Sequence, residues 1–230
     1  MQEITYGTVK EYNRFIQDFP DITPKSGDLK DFQRPWMAAA IIAKLRKGRI
    51  LEIGASQCEI ADFLQKRGYD VSVIDPYDRR AGGGSNYAAI QKKYPLIHVH
   101  KGLLHLDSSL PSNHFDAVHS CSVVEHIELQ DQQATCDKIL ELLKPNGFSI
   151  HAIDFTIDGI MQNHDRLSNF IRCHGVNFDL HKLAERAKAD VDTFCLSPQG
   201  HYRWRQSLKR TYEQYSYRKV ISLNFVFRKA

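Results

Sequence analysis

The 230-residue sequence predicts an α/β fold: a seven-stranded, mainly parallel sheet with helices on both faces and an antiparallel C-terminal strand. Three observations predict it. An apolar run, Arg49–Ile53, ends at Gly54, passes into an amphipathic segment, and gives way to a second apolar run, Val71–Asp75. The same alternation continues through Phe115–Cys121, Leu129–Leu143 and Phe148–Ile153. Breaks at Gly48, Gly68 and Lys144-Pro145-Asn146-Gly147 separate the segments.

Residues 1–30 are polar and aromatic, broken by Pro20, Pro24 and Gly27, and read as an N-terminal arm or cap. Pro35–Lys47 reads as a helix, with proline tolerated in its first turn, Lys44, Arg46 and Lys47 suited to its carboxyl end, and Gly48 as the stop. Arg49–Ile53 is the first strand. Gln57–Arg67 is a helix with Ile60, Phe63 and Leu64 on one side. Val71–Asp75 is the second strand, Gly82-Gly83-Gly84 a loop, Tyr87–Tyr94 a helix and Leu96–His100 the third strand. Phe115–Cys121 is the fourth. Leu129–Leu143 carries Cys136, Ile139, Leu140 and Leu143 at helical spacing, and Phe148–Ile153 is the fifth strand. His181–Ala189 is a helix, and Val191–Cys195 and Val220–Arg228 complete the seven strands. Residues 1–48 are thus an arm and helix of a single domain, whose α/β part spans 49–230 with insertions at 154–180 and 196–219.

A net charge of +4, with 42% hydrophobic and 25% charged residues, is ordinary for a water-soluble chain and demands no polyanionic partner. Met1–Lys10 lacks the basic and apolar pattern of a signal peptide, and the apolar run Trp36–Ala43 is too short to span a bilayer. Five separated cysteines without a Cys-x-x-Cys pair suit free thiols in a reducing cytoplasm. No His, Cys and Asp grouping has metal-ligand spacing.

The Arg49–Asp75 segment has the form of a nucleotide-binding half-unit. Gly54 lets the backbone turn beneath a ligand, and the following helix aims free N–H groups at it. Asp75, 21 residues after Gly54, ends the second strand, where a carboxylate can accept from both hydroxyls of a ribose. Four motifs extend the pattern: Leu51-Glu52-Ile53-Gly54, Val73-Ile74-Asp75, the run from Phe115-Asp116-Ala117-Val118 to Val124-Glu125-His126-Ile127, and Leu142-Leu143-Lys144-Pro145-Asn146-Gly147-Phe148. In order and spacing they resemble the class I S-adenosylmethionine-dependent methyltransferases, in their small-molecule branches, over Arg49–Ile153. The sequence departs from the family's Gly-x-Gly-x-Gly, reading Gly54-Ala55-Ser56-Gln57-Cys58. That departure also tells against a nicotinamide dehydrogenase, which needs the second glycine for the pyrophosphate.

The resemblance implies a Rossmann-like fold, S-adenosylmethionine as cofactor and a small-molecule acceptor such as a saccharide, lipid-linked intermediate or secondary metabolite. It places Gly54, Ala55 and Ser56 against the amino-acid end of the cofactor, with Glu52 nearby. Asp75 would hold the ribose, Pro76 and Tyr77 would flank the adenine, Gly102 and Leu103 would meet its edge, and Ser120 and Cys121 would flank the methionine. An alcohol acceptor also needs a base. Asp154 ends the fifth strand, whereas His151 lies on the other side-chain parity and reads as structural. His126 and His201 are further candidates. The segment His201–Tyr212 interleaves cations and rings, and reads as an anion or glycan clamp, a single-stranded nucleic acid track, or a solvated helix packed by Trp204 and Leu208. An RNA methyltransferase and a non-catalytic binding module stay open as alternatives, although no RNA-binding appendage is recognisable.

Overall fold

A computed structural model of the protein describes residues 2–78, 86–160 and 162–230; the expected Gly82–Gly84 loop lies outside them. Seven strands form one sheet in the order β1-β7-β6-β5-β2-β3-β4. These are β1 (Gln2–Tyr6), β2 (Arg49–Ile53), β3 (Asp70–Asp75), β4 (His98–Lys101), β5 (Phe115–Cys121), β6 (Leu143–Asp158) and β7 (Lys219–Arg228). The β4, β3, β2, β5 and β6 strands run parallel, and β7 is antiparallel to both β6 and β1.

The helices divide between the two faces. On one lie α2 (Lys30–Lys44), α3 (Glu59–Gln65) and α4 (Tyr87–Lys93), enclosing Met37, Ile41, Ile50, Leu64 and Val73. On the other lie α5 (Leu129–Leu142), α6 (His164–Cys173) and α7 (Leu180–Ala189), over Leu51, Val118, Ile139, Ile153 and Phe170. A third cluster, with Phe15, Phe32, Phe194 and Leu196, joins α1 (Val9–Asp18) to α8 (Pro198–Ser207) through the half-buried Trp204. Central parallel strands are apolar on both sides because both faces are covered.

Three local expectations are corrected. Val191–Cys195 is not a strand. Its place at the sheet edge is taken by β1, which occupies β7 from Leu223 to Phe227 and leaves only isolated bridges at Thr193 and Cys195. The arm therefore belongs to the sheet, and α1 follows it under a capping box in which Thr8 and Glu11 satisfy each other's backbone N–H groups. Second, α2 begins five residues before Pro35. Asp31 is buried and accepts from Ser26 Oγ (2.9 Å) and Gly27 N (2.6 Å), which fixes that earlier start. Third, the region after residue 154 is more regular than expected. The β6 strand pairs with β7 as far as Asp158, and α6 buries His164, Leu167, Phe170 and Ile171 at helical spacing.

Candidate functional site

The carboxyl ends of β2, β3, β5 and β6 share one rim of the sheet, where open α/β folds bind ligands. At β2 the chain turns through Gly54, at φ 68°, and donates Gly54 N–H to Ile74 O at 2.8 Å. A methyl group at Gly54 would come within 2.4 Å of Val123 Cγ2, so the turn is packed as well as bent. The two residues standing at the missing glycines keep the glycine conformation: Ser56 has φ 45° and Cys58 φ 59°. The Cys58 side chain is fully buried and belongs to the same apolar cluster as Tyr77.

Asp75 closes this turn from β3. Its Oδ2 accepts from Ser56 N–H at 3.2 Å and its Oδ1 from Tyr77 N–H at 2.7 Å. Each carboxylate oxygen has two acceptor sites, so among the described residues one is left on each, as a ribose hydroxyl would need. Gly102 N donates to Asp75 O at 3.1 Å, which ties the β4 exit to the same corner, and Leu103 next to it is exposed. Glu52 is buried, and its Oε2 has no hydrogen-bond partner among the described residues. Burial and the nearby Glu59 push its carboxyl up to about 8. An orphaned carboxyl oxygen, a glycine-shaped turn and a half-satisfied carboxylate fit a ligand with an ammonium group and a ribose.

Beside this corner lies a second recess, between the first turn of α2 and the ends of β5 and β6. Asp154 Oδ1 accepts from Gln33 Nε2 at 2.8 Å and lies 2.7 Å from Ser122 Oγ. Its Oδ2 has no partner among the described residues. Asp154 N–H donates to Glu125 Oε1 at 3.3 Å, and Glu125 Oε2 is enclosed and unpartnered. Burial and the Asp154 charge raise the Glu125 carboxyl well above the usual range, so Glu125 holds its proton more tightly than a solvated carboxyl. Lys30 Nζ lies 4.0 Å from Cys121 Sγ. Burial alone would lower this ammonium, but the acidic groups around it, Cys121 and Asp154 first among them, hold it above its usual value. Lys30, Cys121, Glu125 and Asp154 are all half-buried, as groups lining a recess are. The Cys121 thiol is pushed up to about 11 by burial, which makes it a poor nucleophile.

The expected site residues divide on this geometry. Glu52, Gly54, Ala55, Ser56, Asp75, Pro76, Gly102, Leu103 and Cys121 come together at the rim, with Asp154 and His126 beside them. Tyr77 does not present its ring to the rim. Its φ of 49° turns the side chain into the apolar cluster, where the phenol is enclosed. The Ser120 hydroxyl also faces away, bonded to His151 Nδ1 at 2.7 Å. It begins a buried chain whose direction is fixed at the far end, because the Phe170 carbonyl can only accept. His174 Nδ1–H donates to Phe170 O (3.1 Å), Ser149 donates to His174 Nε2 (3.1 Å), His151 Nε2–H donates to Ser149 (2.7 Å), and Ser120 donates to His151. His201 is buried, donates Nε2–H to Ser216 O at 3.1 Å and stacks on Tyr215. His126 is exposed at the rim, and the surrounding protein lowers its imidazole against the opposing pull of Asp154.

Sequence reasoning missed Lys30, Gln33 and Ser122, which the fold brings to Asp154. A recess of about 480 Å³ at the amino ends of the strands, between Arg49, Asp70, His98 and His114, lies at the opposite end of the sheet and shares nothing with this site. Among the described residues no His, Cys, Asp and Glu group could hold a metal ion, and no helix is long and apolar enough to cross a membrane.

Comparison with known proteins agrees with this geometry. The profile of a family described as a methyltransferase domain matches residues 11–220. No curated protein matches the sequence. Among solved structures, the chain is similar to the 1,6-didemethyltoxoflavin-N1-methyltransferase of Burkholderia thailandensis, which holds its acceptor and S-adenosylhomocysteine. That similarity has a TM-score of 0.55 and 14% identity over 97% of this chain and 91% of the other. The chain is also similar to a TehB-like SAM-dependent methyltransferase from Corynebacterium glutamicum (TM-score 0.50, 19% identity, 71% of this chain and 83% of that one). A third is phosphoethanolamine N-methyltransferase 2 of Haemonchus contortus, in complex with S-adenosyl-L-methionine (TM-score 0.51, 16% identity, 96% of this chain and 57% of that one). The profile spans nearly the whole chain, and the glycine turn, the Asp75 corner and the sheet order are those its motifs imply: the chain belongs to the class I S-adenosylmethionine-dependent methyltransferase family.

Proposed function

We propose that the protein methylates a small molecule, with the cofactor in the Gly54–Asp75 corner and the acceptor in the recess at Asp154. The observation that carries this is the turn itself. Ser56 and Cys58 hold the left-handed backbone a glycine motif would give, and Ser56 N–H reaches Asp75. The departure from glycine thus leaves the cradle's shape intact. In this reading Gly54, Ala55 and Ser56 face the methionine end, Glu52 meets its ammonium, Asp75 takes the ribose hydroxyls, and Pro76, Gly102 and Leu103 border the adenine.

S-adenosylmethionine supplies a methyl group already activated by its sulfonium. The chain's own residues then align a nucleophile and exclude water. Asp154, held through Oδ1 by Gln33 and Ser122, keeps Oδ2 for the proton of the acceptor's nucleophile. Glu125 orients Asp154 from behind by accepting its backbone N–H. Two of the methyltransferases similar in fold are named for small molecules, 1,6-didemethyltoxoflavin and phosphoethanolamine, and support an acceptor of that size; the Burkholderia enzyme holds 1,6-didemethyltoxoflavin and S-adenosylhomocysteine together.

Calorimetry with S-adenosylhomocysteine tests the reading. Micromolar affinity in the wild type is expected, with at least a tenfold loss in Asp75→Ala. No heat and no thermal shift at millimolar ligand would overturn it.

A further inference from the structure

Arg218 is the group that the site described so far does not use. It immediately precedes β7 and is 94% buried by its 6% exposure, yet no carboxylate lies within ion-pair distance of it among the described residues. Its guanidinium rests on the face of Tyr215, with the carbon 3.9 Å from the ring centroid. A ring face offsets only part of what a buried guanidinium loses in hydration, and buried charges are otherwise paired. Part of the fork is within reach of the Tyr215 hydroxyl, and its nitrogens are not among the enclosed, unpartnered atoms, so the remaining donors open onto space that water or a ligand can reach.

That space is on the same rim as Asp154, whose register partner on β7, Ser222, comes four residues after Arg218. Tyr215 feels the charge of Asp154, which shares its recess with Lys30. Gly159, just past the end of β6, packs on Arg218, where a methyl group would lie 3.0 Å from Arg218 Cβ. The rim above is strongly basic. Between Pro198 and Lys219 six cations face the single acid Glu213, a net +5 in a chain whose total is +4. The α8 part of that segment is bound to the turn that leads into α2, where Trp204 Nε1 donates to Asp28 Oδ2 at 2.5 Å and Arg203 donates to Ser26 O.

We propose that the methyl acceptor carries an oxyanion, a phosphate ester or a carboxylate, which Arg218 grips with its fork against Tyr215 while the nucleophilic end of the molecule lies at Asp154. A guanidinium fork matches both anions with two parallel N–H donors, and the basic rim raises the local concentration of either. The proposal rests on the methyltransferase reading of the same recess.

Titration of the protein saturated with S-adenosylhomocysteine, using inorganic phosphate in one arm and acetate in the other, tests it. One of the two is expected to bind at millimolar concentration, and the preferred anion names the class. Arg218→Gln should weaken that binding at least tenfold and leave S-adenosylhomocysteine affinity unchanged, and Arg218→Lys, which keeps charge without the fork, should fall between. In the wild type, the same anion should protect Arg218 from phenylglyoxal, read by mass spectrometry, which holds even where the variants fold poorly. Absence of binding by both anions, binding that Arg218→Gln leaves unchanged, or unprotected Arg218 would overturn the proposal. Anion binding at Arg218 in a protein that takes no S-adenosylhomocysteine would instead overturn the methyltransferase reading and leave the anion site standing.

Discussion

Ser56 and Cys58 hold the same left-handed backbone for different reasons, and substitution should separate them. A non-glycine residue in that region costs roughly 1–3 kcal/mol unless its surroundings compensate. Ser56 is half-buried at the rim, whereas Cys58 is wholly enclosed in the apolar cluster that holds Tyr77. Ser56→Gly is therefore expected to be neutral or to stabilise by up to about 1 kcal/mol, after the extra freedom glycine gives the unfolded chain. Cys58→Gly should destabilise by about 1–2 kcal/mol, because the cavity it leaves outweighs the relieved strain. Gly54→Ala combines a forbidden φ with a clash on the stiff Val123 and should cost about 2–3 kcal/mol. Urea unfolding of the three variants checks the order, and a Ser56→Gly variant less stable than Cys58→Gly would refute it. At this scale the sequence showed Gly54, Asp75 and Asp154 because strand ends and turns can be located from pattern. It could not show that Ser120 and Tyr77 point inward. That depends on side-chain direction at the last residue of a strand, and on a left-handed residue that reverses it.

At the scale of elements, the central βαβ pattern was legible because each strand there is buried on both faces and reads as an unbroken apolar run. The edges were not. β1 is polar and half-exposed, with the sequence Gln-Glu-Ile-Thr-Tyr, and only the free edge of β7 makes it a strand. Lys30 and Gln33 were hidden for a related reason, since Cys121 and Asp154, which they meet in space, lie 91 and 121 residues away, and Arg218 because Gly159, just past β6, packs on it. The α2–α8 contact is such a junction. Asp28 joins Trp204 of α8 to the turn that presents Lys30 and Gln33. Asp28→Asn weakens a charge-assisted hydrogen bond without removing bulk. It should raise the KM for the acceptor several-fold, with S-adenosylhomocysteine affinity unchanged, because only the acceptor side of the site leans on α8. Equal losses for both ligands would show that the junction supports the whole rim.

For the molecule as a whole, buried titratable groups of opposite kinds set a pH range of stability. His174 is lowered by burial to about 4, His119 to about 3, and His151 well below its usual value. A histidine with a depressed folded value contributes stability that is full above its unfolded value of about 6.5, and that is lost as pH falls toward the folded value. For His174 alone the loss amounts to roughly 3 kcal/mol. The carboxyls run the other way. Glu52, raised by burial to about 8, and Glu125, raised well above its usual range, contribute stability that is full below the unfolded value and is lost as pH rises through the folded one. Between about pH 4.5 and 6.5 the two slopes oppose each other, so stability should peak there and fall on both sides. Glu52 and His119 are register partners on neighbouring strands, each with unpartnered polar atoms, which makes this pair the sharpest test. Glu52→Gln should flatten the alkaline limb and raise the Tm at pH 8, leaving the acid limb in place. His119→Leu should soften the acid limb and leave the alkaline one. A Tm that stays level from pH 4 to 9, or an alkaline limb unchanged by Glu52→Gln, would mean that these groups do not stay buried and uncharged in the folded protein.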